Sequence, residues 1–138
     1  MRKYDLDNPI YIGTRTLYRV IYTDDFIEAF KEKRGFAINK KGGWVERKYN
    51  LSEFEDGNDF AVVLDNAIVM DYAQVTSNAV VSGEAEISEF AKISCGARVM
   101  ENSKVSGHAM VTNLAIVSNK SVIKDHAIIM RNVVIMQD

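Results

Sequence analysis

Residues 61–138 read AVVLDN AIVMDY AQVTSN AVVSGE AEISEF AKISCG ARVMEN SKVSGH AMVTNL AIVSNK SVIKDH AIIMRN VVIMQD, thirteen uninterrupted hexapeptides of the form [Ala/Ser]-x-[Val/Ile]-x-x-x. The small position runs from Ala61 to Ala127, with Ser103 and Ser121 as its variants, and only the last repeat opens with a larger residue, Val133. Two places after each stands a β-branched residue, from Val63 through Ile87, Val99 and Val105 to Ile135. Residues two apart on an extended segment point the same way, so each Ala and its Val or Ile share one side, and that side is the interior. The remaining positions hold turn formers: Asp65-Asn66, Gly83, Gly96, Asn102, Gly107, Asn113 and Asn119. Such residues tolerate positive φ or bond locally to the backbone. Each hexapeptide is therefore a short strand and a corner.

One such strand cannot bury its apolar face alone, whereas three bent into a triangular coil and stacked on like coils make a continuous core. The thirteen repeats predict a parallel β-helix of a little over four coils, a rod roughly 20 Å long at ~4.8 Å between strands. An amphipathic helix is excluded because a period of six does not follow 3.6 residues per turn, and a pentapeptide solenoid because the register is six throughout.

Residues 1–60 differ in composition, with Tyr4, Tyr18, Tyr22, Phe26, Phe30 and Trp44 among a crowd of aromatics. TLYRVIY at 16–22 reads as a strand with Leu17, Arg19 and Ile21 on one face and Tyr18, Val20 and Tyr22 on the other. DDFIEAFKEKRG at 24–35 reads as a helix running from an acidic start to Gly35. Lys40-Lys41-Gly42-Gly43 reads as a turn into Trp44-Val45. An open β-helix end exposes apolar core and unpaired strand edge. The expected architecture is thus all-β: a 1–60 aromatic-rich α+β capping segment followed by the 61–138 β-helix.

With 138 residues, 47% of them apolar and 26% charged, the chain has room for one compact domain or a small domain joined to a repeat array, and is too rich in aliphatics for disorder. No apolar run approaches the roughly 20 residues that span a bilayer, and MRKYDLDNP lacks the apolar stretch of a signal peptide. A cytoplasmic protein without membrane association is expected. Cys95 is the only cysteine, which excludes an intramolecular disulfide. The net charge of −2 divides evenly, with 11 acidic and 11 basic residues in 1–60 and 8 and 6 in 61–138. Neither half has the polarised charge of a DNA mimic or a general nucleic-acid binder.

Folding the sequence at the coil period places Tyr72, Phe90, His108 and His126 in one corner column, beside Asp71, Glu89, Gly107 and Asp125. Stacked histidines beside carboxylates are a candidate metal or proton-sharing site. The reading preferred here is an aromatic ladder, because a catalytic site needs a cleft and a third oriented group. Cys95 stands between Ser77 and Asn113 in its column with no base among them, so it reads as a surface thiol. No catalytic residue, metal or cofactor is expected.

Outward positions carry more information. On one face they include Val62, Leu64, Val80, Met100, Ile116, Val134 and Met136, a stripe broken by Ser82, Arg98 and Ser118. Towards the C-terminus Val122, Ile128 and Met130 turn the other faces apolar. Contiguous exposed apolar surface marks an interface. As the last coil has no evident cap, the expectation is a homodimer that hides this end or face, with docking of another protein as the competing use. A second candidate contact surface, for nucleic acid or protein, is Lys31, Lys33, Arg34, Lys40, Lys41 and Trp44, with Arg47 and Lys48. Its plainer reading is the solvated face of a small domain.

The tandem Ala-x-[Val/Ile] repeats resemble the left-handed β-helix, hexapeptide-repeat proteins. Left-handedness is implied by that resemblance alone, since ordinary parallel crossovers are right-handed. RTLYRVI at 15–21, GGWVERKYNLS at 42–52, DNAIV at 65–69 and SNAVVSG at 77–83 are similar to the YdcK-like proteins of bacteria and their phages. That resemblance covers nearly the whole chain, and DDFIEAFKEKRGFAINKK at 24–41 departs from it. Many left-handed β-helix proteins are acyltransferases using acetyl-coenzyme A or acyl carrier protein, with a catalytic histidine near a trimer interface, which makes an acyltransferase the alternative. Here no loop interrupts the repeats and both histidines stand at corners. The favoured expectation is a non-catalytic scaffold that binds a macromolecular partner, in a phage setting by occluding a host defence enzyme in the manner of an anti-CRISPR protein.

Overall fold

The computed structural model describes residues 2–54, 57–130 and 133–137, so the predicted corner at 131–132 and the closing residue of the thirteenth hexapeptide lie outside the described residues. Strands β1 (Tyr4–Ile12) and β2 (Arg15–Tyr22) form an antiparallel hairpin, followed by helix α1 (Asp24–Arg34) and strand β3 (Lys41–Val45). A short 3-10 turn at Lys48–Asn50 leads to the repeats. There each hexapeptide contributes one short strand: β4 (Val62–Val63), β5 (Ile68–Val69), β6 (Gln74–Val75), β7 (Val80–Val81), β8 (Glu86–Ile87), β9 (Lys92–Ile93) and β10 (Arg98–Val99). The series continues with β11 (Lys104–Val105), β12 (Met110–Val111), β13 (Ile116–Asn119), β14 (Val122–Ile123), β15 (Ile128–Ile129) and β16 (Val134–Gln137).

Every third strand pairs in parallel. The first face holds β5-β8-β11-β14, the second β6-β9-β12-β15, and the third β4-β7-β10-β13-β16. Val63 lies over Val81, Val81 over Val99 and Val99 over Val117, each pair 18 residues apart. The result is a left-handed β-helix-like solenoid of about four coils. From Ala61 to Val117 the inward Ala, Val and Ile are almost completely closed to water, including Ile87 and Val105. Burial of each Val or Ile contributes on the order of 1.5–3 kcal/mol before chain entropy is subtracted, so stability resides in the stack.

Acidic residues at the corners have a specific use. Asp65, Asp71, Glu89 and Glu101 take positive φ near 60°, which costs a residue with a Cβ about 1–2 kcal/mol. Each carboxylate accepts a backbone N–H from the coil above: Asp65 from Gly83 at 2.9 Å, Asp71 from Glu89 at 2.9 Å, Glu89 from Gly107 at 3.3 Å and Glu101 from Asn119 at 3.1 Å. Those charge-assisted bonds offset the strain and tie successive coils together.

The front of the chain closes the first coil face by face. On the first face β3 joins β2 to the solenoid, pairing Trp44 with Ile68 and Val45 with Val69, and buried Val45 continues the inward column. On the second, Leu51 bridges Val75, and the buried Asn50 side chain is fully used: Oδ1 accepts from Glu46 and Arg47 N–H, while Nδ2 donates to the carbonyls of Asp71 and Ala73. On the third, the Tyr22 hydroxyl donates to Val63 O and accepts from Val63 N, both at 2.8 Å. Unpaired strand edges that would be costly to bury are thereby satisfied. In β2 the alternation places Val20 and Tyr22 in the main core, with Leu17 on the opposite face buried apart from it.

Helix α1 forms where the acidic start and Gly35 place it. Thr23 Oγ1 accepts from Phe26 N at 3.2 Å, and Gly35, at φ 84°, donates its N–H to Lys31 O at 2.9 Å. Phe26 and Phe30 bury one side of the helix against Phe60 and the first coils. Lys41-Gly42-Gly43, expected to be a turn, are instead in β3. The glycines answer to space: a Cβ on Gly42 would lie 2.6 Å from both Tyr22 Cε2 and Val63 O, and one on Gly43 2.6 Å from Ala67 O and 2.7 Å from Val63 Cγ1. Gly43→Ala is accordingly expected to cost about 1–3 kcal/mol, because backbone must move. Urea unfolding midpoints measure this directly.

Candidate functional site

The corner column is an aromatic ladder. Tyr72, Phe90, His108 and His126 stack with centroids 5.8, 4.9 and 5.1 Å apart and planes within 10° of parallel. Arg47 lies over the Tyr72 ring at 4.7 Å and extends the stack to the cap. Below it Arg15 reaches Asp71 Oδ1 at 2.6 Å and Glu46 Oε1 at 3.0 Å. The Arg15 bond, outweighing partial burial, holds the Asp71 carboxyl below the usual carboxylate range. Among the described residues no group of three His, Cys, Asp or Glu side chains is placed to hold a metal. Cys95 is an exposed free thiol.

Ten outward residues were expected to form an apolar interface, and the structure separates them. Val62 and Val80 are buried, because α1, Phe30 and Phe60 pack onto the start of the third face; their assignment to exposed surface is corrected. Leu64 is half-buried against the same core. Met100 and Ile116 are half-buried. Val122, Ile128, Met130, Val134 and Met136 are exposed, Ile128 by 60% and Met136 by 63%. Since β14, β15 and β16 belong to different faces, the last described coil is apolar outward on all three sides. Inside that coil Ala127, Ile129 and Ile135 are only half-buried. Exposed Met110, paired with Ile128 on the second face, and exposed Val133 belong to this surface too. The repeat register places Met110 outward; Val133 stands at an inward position of its hexapeptide yet is 41% exposed, and exposed Leu114 sits at a corner that period alone marks as a turn.

The six basic and aromatic candidates do not converge. Lys40 pairs with Asp24 at 3.1 Å, Trp44 is half-buried with the Arg19 guanidinium 4.6 Å above its ring, and Lys41 and Lys31 are exposed elsewhere. Lys33 and Arg34 instead meet Arg98 and Ile116 around a cavity of about 590 Å³ beside α1. Arg34 Nη1 donates to Asn78 O at 3.0 Å. Sequence alone does not bring these together, because helix and repeat are far apart along the chain.

No helix among the described residues is long and apolar enough to cross a membrane. No family model matches the chain, and no curated protein or solved structure matches it either.

Proposed function

We propose that this chain is a non-catalytic β-helix scaffold that binds a macromolecular partner, its C-terminal coils making either that contact or the contact with a second copy of itself. The observation that carries the reading is the outward apolar surface of the last described coil, where Val122, Ile128, Val134 and Met136 are all at least half exposed. Solitary surface aliphatics need no explanation, but a belt around three faces of one coil does. A rigid stack of coils presents such a surface with little ordering cost, which favours binding by shape.

The front motifs' similarity to the YdcK-like proteins of bacteria and their phages supports a specific version. In it the partner is a host defence enzyme, which the scaffold occludes in the anti-CRISPR manner, in the cytoplasm. Two measurements test the proposal. Light scattering of the purified chain at micromolar concentration is expected to give twice the chain mass, and Ile128→Glu with Val134→Glu to give a folded monomer that keeps the native far-ultraviolet spectrum and loses the concentration dependence of the thermal midpoint. Affinity capture from host lysate is expected to recover one reproducible protein with the native chain and lose it with the double variant. A native monomer that captures nothing would end the reading.

A further inference from the structure

The last turn of α1 and the third face of the solenoid enclose a groove whose chemistry is different from that of the apolar coil. Its floor is a corner column, Phe60, Asn78, Gly96 and Leu114; one wall is Lys33 and Arg34 from α1, and the other is Arg98 and Ile116 from the third face. A volume of about 590 Å³ lies within the range of small-molecule sites, roughly 300–1,000 Å³.

Three cations converge here, and among the described residues none of them forms an ion pair with a carboxylate. Partial burial and then the nearby Arg98 charge hold the Arg34 guanidinium below its ordinary value. Complementing the α1 macrodipole accounts for Lys33 and Arg34 in the last turn. It does not account for Arg98, which comes from β10 and adds repulsion. Both guanidinium groups are steadied by rings, Arg34 over Phe30 at 5.6 Å and Arg98 over Phe36 at 5.9 Å. A guanidinium held in this way retains donors for a planar or tetrahedral oxyanion and loses little freedom on binding it.

Apolar groups complete the groove. Leu114 is 59% exposed and takes φ 64°, directly after Asn113 at φ 50°. Leucine rarely adopts that conformation, and asparagine or glycine would enter it with less strain. Its Cδ2 lies 2.6 Å from where a Cβ on Gly96 would stand, so the absent side chain at 96 lets the leucine fold down over the corner.

We propose that this groove binds a small organic anion, with a phosphate or carboxylate between Arg34 and Arg98 and a ring or other apolar body against Leu114, Ile116 and Phe60. The site borders the apolar coil, since Ile116 pairs with Val134, but the proposal does not rest on the partner reading. Phenyl phosphate, benzoate and inorganic phosphate, titrated into the full chain by calorimetry, test it. Phenyl phosphate or benzoate is expected to bind saturably at one site per chain, more tightly than inorganic phosphate. Arg98→Gln, at an exposed position whose change leaves the thermal midpoint in place, is expected to weaken that binding by about 10-fold. Leu114→Ser is expected to weaken the organic anions and leave inorganic phosphate unchanged. Absence of saturation by either organic anion up to about 10 mM, equal affinity for inorganic phosphate, or indifference to Arg98→Gln would each overturn the proposal.

Discussion

Val99→Asp is expected to abolish the cooperative thermal transition and leave a chain without the native far-ultraviolet spectrum. Val99 is completely buried on β10, stacked between Val81 below and Val117 above. An aspartate there meets only inward aliphatics, and burying its charge or its protonated form without a partner costs several kcal/mol. A whole domain is stable by only about 5–15 kcal/mol. The solenoid has no second core to fall back on, since each coil is held by its neighbours. Two companions fix the interpretation. Val99→Ala removes volume without charge and is expected to fold with a loss of about 2 kcal/mol. Lys92→Asp, at an exposed position on β9, is expected to stay within about 0.5 kcal/mol of the parent. A Val99→Asp chain with an undiminished thermal midpoint would mean that this column does not face inward.

Stability is expected to rise between pH 8 and pH 10, the reverse of the usual alkaline decline. The cause is Lys3, a lysine closed to water in the cap. Its Nζ donates to Ser52 O at 2.9 Å, lies 3.9 Å from Asp59 Oδ1 and stands 5.4 Å from the centre of the Phe26 ring. Burial, only partly opposed by Asp59 and Glu53, lowers the Lys3 pKa from 10.5 to about 8. Below pH 8 folded and unfolded chains both carry this proton, and the folded state bears the full cost of the buried charge. From pH 8 upward the folded state releases the proton first, so the unfolded state binds more and stability increases with pH. The gain is on the order of 2 kcal/mol by pH 10, at 1.36 kcal/mol per unit. Tyr4 and Tyr22 then reverse the trend. Burial pushes both phenols well above their ordinary value, so above pH 10 the unfolded chain ionises first and stability falls. Thermal midpoints measured from pH 7 to 11 are expected to peak near pH 10. Lys3→Met is expected to remove the rise while keeping the fall. A flat native profile from pH 8 to 10, or a rise that survives Lys3→Met, would contradict the assignment.

The repeat was legible because its physics is local and repeated. Alanine at one position and a branched aliphatic two places later determine strand, face and coil without any long-range information, so the inward column from Ala61 to Val117 could be read directly. Helix α1 was legible for a similar reason, since Asp24, Asp25 and Gly35 act on neighbouring backbone. Long-range contacts left no such trace. Gly42 and Gly43 carry the residue type of a turn, and only the approach of Tyr22 and Val63 reveals that they make room in a strand. Val62 and Val80 obey the outward register, yet α1 folds back and covers them. Lys3 sits in a polar opening segment that gives no sign of burial. The groove beside α1 needed Arg34 and Arg98 to meet from two elements, and no periodicity encodes that meeting.

The stacked three-sided coil underlies all of these readings, and methyl nuclear Overhauser spectroscopy tests it most directly. Cross-peaks from the Val99 methyls to those of Val81 and Val117 are expected, because the two neighbours stand one coil away on the same face. Val99 methyls that showed no contact with either residue, and instead met side chains three or four places along the chain, would contradict the solenoid.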